Sequence, residues 1–394
     1  MESFFRTHKY LIEHLQPSVR RILMDEINWN DRLIGIKGSR GVGKTTFLLD
    51  YAREFYGADN RACLYVNLNH FYFTERTLVD FATEFHQKGG GKVLLIDQVF
   101  KYSDWSKELR YCYEHLPNLQ IVFSGSSVMR LKEENPDLAG IVTPYNLRGF
   151  SFREYLNLMS GSMFQPYSFE DIIHHHQDIA KDICSQVNPL EHFSRYLHHG
   201  FYPFFLEKRN FSENLLKTMN MMLEVDVLYI KQIEQTYLPK LRKLLYLLAV
   251  NAPGSPNVSQ LSKAIETSRA TVMNYIKYLA DARLVNILYP QGETFPKKPC
   301  KIYMYNSNLM YPICPVEEVN KDVARESFFF NQLQKDNKVN AGIKNAHFMV
   351  NDTYHFKIEG AARSKGNSGY YYAVDNMAEG EGNQVPLWLF GFLY

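Results

Sequence analysis

The run Gly38-Ser39-Arg40-Gly41-Val42-Gly43-Lys44-Thr45 constrains this chain more than any other stretch. It follows the apolar segment Leu33-Ile34-Gly35-Ile36. It leads into Thr46-Phe47-Leu48-Leu49-Asp50-Tyr51-Ala52, whose apolar residues recur at helical spacing. The pattern G-x-x-x-x-G-K-[ST] between a strand and a helix is that of a phosphate-binding loop. Glycines let the backbone N–H groups curl around a polyphosphate without Cβ clashes, and the helix start adds the positive end of its dipole. In such a loop Lys44 reaches the β- and γ-phosphates and the Thr45 hydroxyl ligates Mg²⁺. Gly38 through Thr46 are therefore the expected nucleotide contacts, with Thr45 also a metal ligand.

The residues around the loop predict the sheet that carries it. Residues 1–30 read as a helical lead-in, with Leu11, Ile12, Leu15, Val19 and Ile22 near a three-to-four spacing. Strands are expected at Arg32–Lys37, Ala62–Leu68, Lys92–Asp97 and Ile121–Ser124. Helices are expected around Thr77–His86 and Trp105–Leu116. The unbroken apolar run ending in Asp97 suits a strand buried on both faces of a parallel sheet. Strands alternating with helices predict a doubly wound α/β domain with its ligand at the carboxyl ends of the strands, so Asp97 faces the same mouth as the loop.

At 394 residues the chain is too long for one core, and two or three domains are expected. A hydrophobic content of 45% and a charged content of 22% are ordinary globular values. The net charge of +2 provides no global field toward nucleic acid, so any basic patch is local. The five cysteines, Cys63, Cys112, Cys184, Cys300 and Cys314, are far apart and lack C-x-x-C pairing, which fits free thiols in a reducing cytoplasm. The acid-bearing start Met1-Glu2-Ser3-Phe4-Phe5-Arg6 lacks a signal-peptide core, and no window approaches the ~20 apolar residues of a membrane span.

From about Phe150 the pattern changes. Residues 150–237 read as a helical lid, with segments at Phe152–Leu158, Phe169–Ile183 and Leu215–Gln232. His174, His175 and His176 are consecutive and point in different directions on a helix. They are expected, with His198 and His199, to be a solvated cluster rather than a metal site. Residues 238–310 read as helices at Leu241–Val250, Val258–Ile265 and Ala270–Ala280, then strands at Leu284–Tyr289 and Lys301–Tyr305 around Gly292. That order predicts a winged helix-turn-helix. Its recognition helix offers Arg269, Asn274 and Lys277 to DNA, and its wing Lys297, Lys298 and Lys301; winged helices also serve as protein–protein modules. Residues 311–394 combine a helix at Glu326–Leu333 with strands at His347–Val350, Tyr354–Ile358 and Tyr370–Val374. The ending Pro386-Leu387-Trp388-Leu389-Phe390-Gly391-Phe392-Leu393-Tyr394 is apolar and is expected to pack as a strand or an interface.

The order of motifs resembles the prokaryotic AAA-type ATPases of the AAA+ superfamily, in which a P-loop domain precedes a winged helix and a restriction-nuclease-like domain of unknown function. Gly38–Thr46, Asp97, Lys101-Tyr102 and Trp105-Ser106-Lys107-Glu108-Leu109 carry the likeness. So do Phe123-Ser124-Gly125-Ser126-Ser127, Gly149-Phe150-Ser151-Phe152-Arg153-Glu154-Tyr155-Leu156, Arg325-Glu326-Ser327-Phe328-Phe329 and the apolar ending. The resemblance implies an α/β fold: a P-loop NTPase parallel sheet (1–149), a helical lid (150–237), a winged helix (238–310) and a small α+β nuclease-like domain (311–394). It implies ATP with Mg²⁺ as cofactors, Asp97 holding the ion directly or through water, and Ser124 as the polar sensor. No guanine-specifying N/TKxD stands out, which favours adenine.

Departures from the family pattern shape the functional expectation. The family has Glu after the aspartate to polarise the attacking water, whereas this chain has Gln98. An amide can hold a water but cannot take its proton, so hydrolysis should suffer far more than binding. Paired arginines are replaced by Asp137-Leu138-Ala139-Gly140-Ile141, removing a charge-neutralising group. In the C-terminal domain the nuclease carboxylate positions hold His347 and Lys357, with Ala361 in place of the lysine. Only Glu326 and a displaced Glu359 remain, so nuclease chemistry is not expected. The sequence thus predicts an ATP-binding switch with weak or absent hydrolysis. The alternatives are an ATP-regulated DNA-binding regulator or defence factor and an oligomeric scaffold joined through the C-terminal domain.

Overall fold

β1 (Leu33–Gly38) runs inside a parallel sheet, between strands that enter the sequence much later. The chain, seen in a computed structural model that describes residues 1–15, 19–129, 131, 135–207, 210–314, 319–362 and 369–394, divides into two units, Met1–Arg148 and Gly149–Tyr394. In the first unit α1 (Glu2–Glu13) and the short α2 (Leu23–Glu26) precede β1. Then follow α3 (Lys44–Phe55), β2 (Cys63–Asn67), α4 (Leu78–Thr83), β3 (Val93–Asp97), α5 (Trp105–His115), β4 (Gln120–Ser126) and β5 (Thr143–Asn146). The sheet order is β2-β3-β4-β1-β5, and every pairing is parallel. Leu33, Ile34, Ile36, Leu94, Leu95, Ile96, Val122 and Phe123 are all buried, as strands covered on both faces require.

β5 is a strand that residue pattern alone does not announce. Thr143-Pro144-Tyr145-Asn146 is half-exposed and carries a proline, which an edge position tolerates. The opposite edge, β2, is closed differently. His8 of α1 is buried, and its Nδ1 accepts the Tyr65 backbone N–H at 3.0 Å. The helix thereby satisfies a donor that an edge strand would otherwise leave open.

The second unit begins with α6 (Phe152–Ser160), whose start is fixed by a capping box between Ser151 and Glu154. α7 (Phe169–Gln186), α8 (Pro189–His199) and α9 (Phe211–Met221) follow, and α9 runs on into a π-helical stretch, Met222–Tyr229. Next come α10 (Leu238–Val250), α11 (Val258–Ala264), α12 (Arg269–Asp281) and the antiparallel pair β6 (Val285–Leu288) and β7 (Lys301–Met304). α13 (Lys321–Leu333) precedes a mixed sheet of β8 (Val339–Ala341), β9 (Phe348–Val350), β10 (Tyr354–Glu359), β11 (Tyr371–Val374) and β12 (Gln384–Pro386), ordered β12-β11-β10-β9-β8.

The apolar ending is not a strand. Leu387–Phe392 forms a 3₁₀-helix with all six residues buried, and the Trp388 indole N–H donates to the Met377 carbonyl at 3.1 Å. It enters one core with Phe152 and Tyr155 of α6, Phe193 of α8, Tyr303 of β7, Phe328 and Phe329 of α13 and Phe348 of β9. Segments with separate sequence signatures therefore share a single hydrophobic interior. Its aromatic pairs are mostly edge-to-face, such as Phe193 on Phe328 at 4.9 Å between ring centroids.

Candidate nucleotide site

The loop between β1 and α3 has the backbone that its glycines permit. Gly41 and Gly43 sit at φ 82° and 91°, in the left-handed region, and Gly43 caps α3. Gly38 is needed for a different reason, because a Cβ there would lie 2.4 Å from the Leu147 carbonyl oxygen. Val42 is fully buried, and its carbonyl accepts from Arg21 Nη1 at 3.1 Å while Arg21 Nη2 reaches the Arg148 carbonyl at 2.6 Å. Arg21 thus braces the loop from behind. The Lys44 ammonium donates to the carbonyls of Gly38 and Ser39 at 2.9 and 2.8 Å, spanning the loop that it closes.

Parallel register brings three distant residues to that loop. Ile36 of β1 pairs with Ser124 of β4, and Ile96 of β3 pairs with Phe123, so Asp97 comes level with Ser124. The Asp97 carboxylate is 1% exposed and accepts from four groups. Thr45 Oγ1 at 2.7 Å and Tyr65 OH at 2.8 Å meet Oδ2. Ser124 Oγ and the Gln98 N–H, the latter at 3.1 Å, meet Oδ1. The Gln98 N–H also lies 3.1 Å from Ser124 Oγ, and Gln98 is held at φ 56°, ψ 48°, which turns the chain sharply at the strand end. Burial and the neighbouring Asp97 push the Tyr65 phenol upward, so it stays a donor.

The Thr45 hydroxyl oxygen and the Asp97 carboxylate, beside the glycine-rich loop, are hard donors. They fit the few protein ligands, completed by phosphate and water, that Mg²⁺ takes. The sequence-chosen residues Gly38–Thr46, Asp97, Gln98 and Ser124 are thus brought together at one mouth of the sheet. Arg21 and Tyr65 join this site without a sequence signature of their own. Arg21 stands outside the motif, and Tyr65 is hidden in an apolar run, although its alternation with Asn67 was the available signal.

One motif residue, Glu108, and its neighbour on the same helix, Arg110, turn out to be structural. Glu108 of α5 accepts from Tyr102 OH at 2.6 Å and from the Val79 N–H at 3.1 Å, anchoring the first turn of α4. The turn at Asp137–Ile141, where the resemblance implied arginines, is held by Arg110, which donates to the Asp137 carbonyl and, at 3.1 Å, to that of Ala139.

With that geometry in view, residues 30–156 match the AAA domain family. The first unit has a P-loop NTPase fold. Residues 190–318, in the second unit, match a domain of unknown function. Asn308 ties the two ends of that stretch together: its side chain donates to the Tyr196 and Leu197 carbonyls at 3.0 and 2.9 Å and accepts from the Phe201 N–H at 2.9 Å. An uncharacterized protein of Methanocaldococcus jannaschii is 28% identical over 285 residues, 68% of this chain and 59% of its own length. The solved structure of C. elegans PCH-2 covers 40% of this chain and 44% of its own at 20% identity, with a TM-score of 0.24, too slight a likeness to carry an argument.

In the second unit the other expected site residues scatter. The histidines are only partly solvated: His174 and His175 are exposed, as expected, and the other three are not. His176 is buried, with Nε2 3.1 Å from the Gly382 carbonyl, and His198 and His199 are half-buried with their Nδ1 atoms 3.1 Å apart. α7 is kinked at His175, whose φ of −127° and ψ of 15° are not helical, and past the kink His176 lies among the buried residues of the helix. Arg269 and Asn274 are exposed on α12, whereas Lys277 pairs with Asp281 at 3.6 Å and Lys301 with Glu326 at 3.5 Å. Glu326 also accepts from Tyr303 OH at 2.5 Å, and His347 Nδ1 lies 3.7 Å from it. Lys357 instead stands over the Tyr370 ring at 4.6 Å. Among the described residues, no helix is long and apolar enough to cross a membrane.

Proposed function

We propose that the AAA-type unit binds ATP with Mg²⁺, hydrolyses it slowly or not at all, and uses the bound nucleotide as a switch. The observation that carries this reading is the convergence of Thr45, Ser124 and Asp97 beside the loop, with Gln98 standing where a water-activating carboxylate belongs. Backbone N–H groups of the loop and Lys44 would hold the phosphates. Thr45 would hold the cation, which supplies charge neutralisation at the γ-phosphate, and Asp97 would support it through the Thr45 hydroxyl that donates to its carboxylate. Gln98 can orient a water through its amide but cannot accept its proton, so the step that suffers is proton removal.

The test pairs ATP·Mg²⁺ affinity with steady-state phosphate release, on the native chain and on Gln98→Glu. Binding in both, with turnover rising ~100-fold or more only in Gln98→Glu, is the expected result. Binding without turnover in either would move the defect to the Asp137–Ile141 turn. Absence of binding would end the proposal. A switch role further requires that ATP change the proteolytic protection of residues 150–310.

A DNA-binding reading is second. Support for it lies in exposed Arg269 and Asn274 on α12 and in Lys297 and Lys298 on the β6–β7 connection, while the ion pairs of Lys277 and Lys301 count against it. Phosphate contacts release counterions, so a gel shift with a steep salt dependence would favour it. The scaffold reading loses its sequence argument, because the apolar ending is covered within its own unit.

A further inference from the structure

Tyr65 sits on β2 opposite Leu95 of β3, two residues before Asp97. Residues two apart on a strand share a face, so Tyr65 and Asp97 are diagonal neighbours on one side of the sheet. Register thus aims the phenol at the carboxylate, and the contact is made at 2.8 Å with Tyr65 6% exposed. A carboxylate offers about four acceptor positions. Here Thr45 and Tyr65 share Oδ2 while Ser124 and the Gln98 N–H share Oδ1. The Thr45 proton is directed onto Asp97, which leaves the Thr45 oxygen lone pairs free to face a cation. Tyr65 takes the place on Oδ2 beside it and holds the carboxylate in the rotamer that keeps Thr45 aligned.

We infer that Tyr65 is a positioning residue for the divalent cation, acting through Asp97 and Thr45. The inference rests on the ATP·Mg²⁺ reading above. A phenol that only filled space would support nucleotide binding equally with and without metal. A phenol that orients the carboxylate affects only the metal-dependent part.

The experiment is calorimetric titration of ATP into the full chain and into Tyr65→Phe, each in Mg²⁺ and in EDTA, with unfolding temperatures recorded without ligand. Tyr65→Phe keeps the buried ring and removes one donor to a charged group. It is expected to lower affinity in Mg²⁺ by about fivefold or more and to leave the EDTA value within about twofold. The Mg²⁺ concentration giving half-maximal affinity should rise in parallel. Equal losses in both buffers, an unchanged Mg²⁺ response, or collapse of the fold in Tyr65→Phe would each assign Tyr65 to packing and overturn the inference. Failure of the native chain to bind ATP in Mg²⁺ would overturn this inference together with the ATP reading. Native binding with an indifferent Tyr65→Phe would overturn this inference alone.

Discussion

Thr45 Oγ1 donates to Asp97 Oδ2 at 2.7 Å, joining the first turn of α3 to the end of β3 across 52 residues of sequence. The bond orients the Thr45 oxygen and keeps the buried carboxylate charge compensated. Thr45→Val preserves shape and loses both functions, whereas Thr45→Ser retains the hydroxyl. ATP affinity in Mg²⁺ should fall at least about tenfold in Thr45→Val and stay within about threefold in Thr45→Ser. Calorimetry decides this, and equal affinity of native and Thr45→Val proteins would refute the metal-ligand role.

The close approach of Gly38 to Leu147 predicts a stability effect separable from ligand binding. A Cβ at 2.4 Å from a backbone carbonyl oxygen cannot be relieved by moving a flexible side chain. Gly38→Ala should therefore lose roughly 2–3 kcal/mol. Urea denaturation of the nucleotide-free chain checks it. An unchanged midpoint would mean that the β1–β5 edge yields more easily than its pairing suggests.

Residue pattern revealed the parallel sheet because its strands are apolar runs bounded by turns, and revealed the loop because its spacing is stringent. It concealed β5, whose Thr143–Asn146 has neither an apolar run nor alternation and pairs only because β1 offers an edge. It concealed α8 too, although Asn188 as cap and Pro189 in the first turn were readable signals. The ending Leu387–Phe392 is helical although its composition suggests a strand or an interface, because apolar content signals burial without specifying backbone. Within the site, Gly38–Thr46 and Asp97 were legible as chemistry, while Tyr65 became meaningful only through the β2–β3 register. Periodicity describes one element at a time, and so it could not show that Phe152 and Phe390 share a core.

Acid should loosen the first unit through His8. Burial lowers its pKa from the ordinary 6.5 to about 4, and its Nδ1 is already used as an acceptor for the Tyr65 N–H. The unfolded chain therefore takes up a proton below about 6.5 that the folded chain refuses until about 4. Stability from this group is fully present above pH 6.5, falls as pH drops toward 4, and changes no further below that. The loss is on the order of 3 kcal/mol. His8→Asn, which keeps an acceptor but does not titrate, should flatten that part of the pH profile relative to the native chain. Parallel profiles for the two proteins would show that His8 titrates normally.

Trp388 tests whether the apolar ending belongs to its own unit or to a partner. Its indole is 1% exposed, lies 5.6 Å from the Phe392 ring centroid and donates to the Met377 carbonyl. Removing it would leave a cavity among aromatic rings and an unpaired carbonyl. Trp388→Ala should therefore lose about 3–5 kcal/mol, whereas Phe71→Ala, at a ring 86% exposed, should stay within about 0.5 kcal/mol of native. Urea midpoints measure both changes, and light scattering run alongside them separates the explanations. Lost stability at constant mass fits an ending buried within one chain. An unchanged midpoint with a smaller particle would instead make residues 386–394 a contact between copies and revive the scaffold reading.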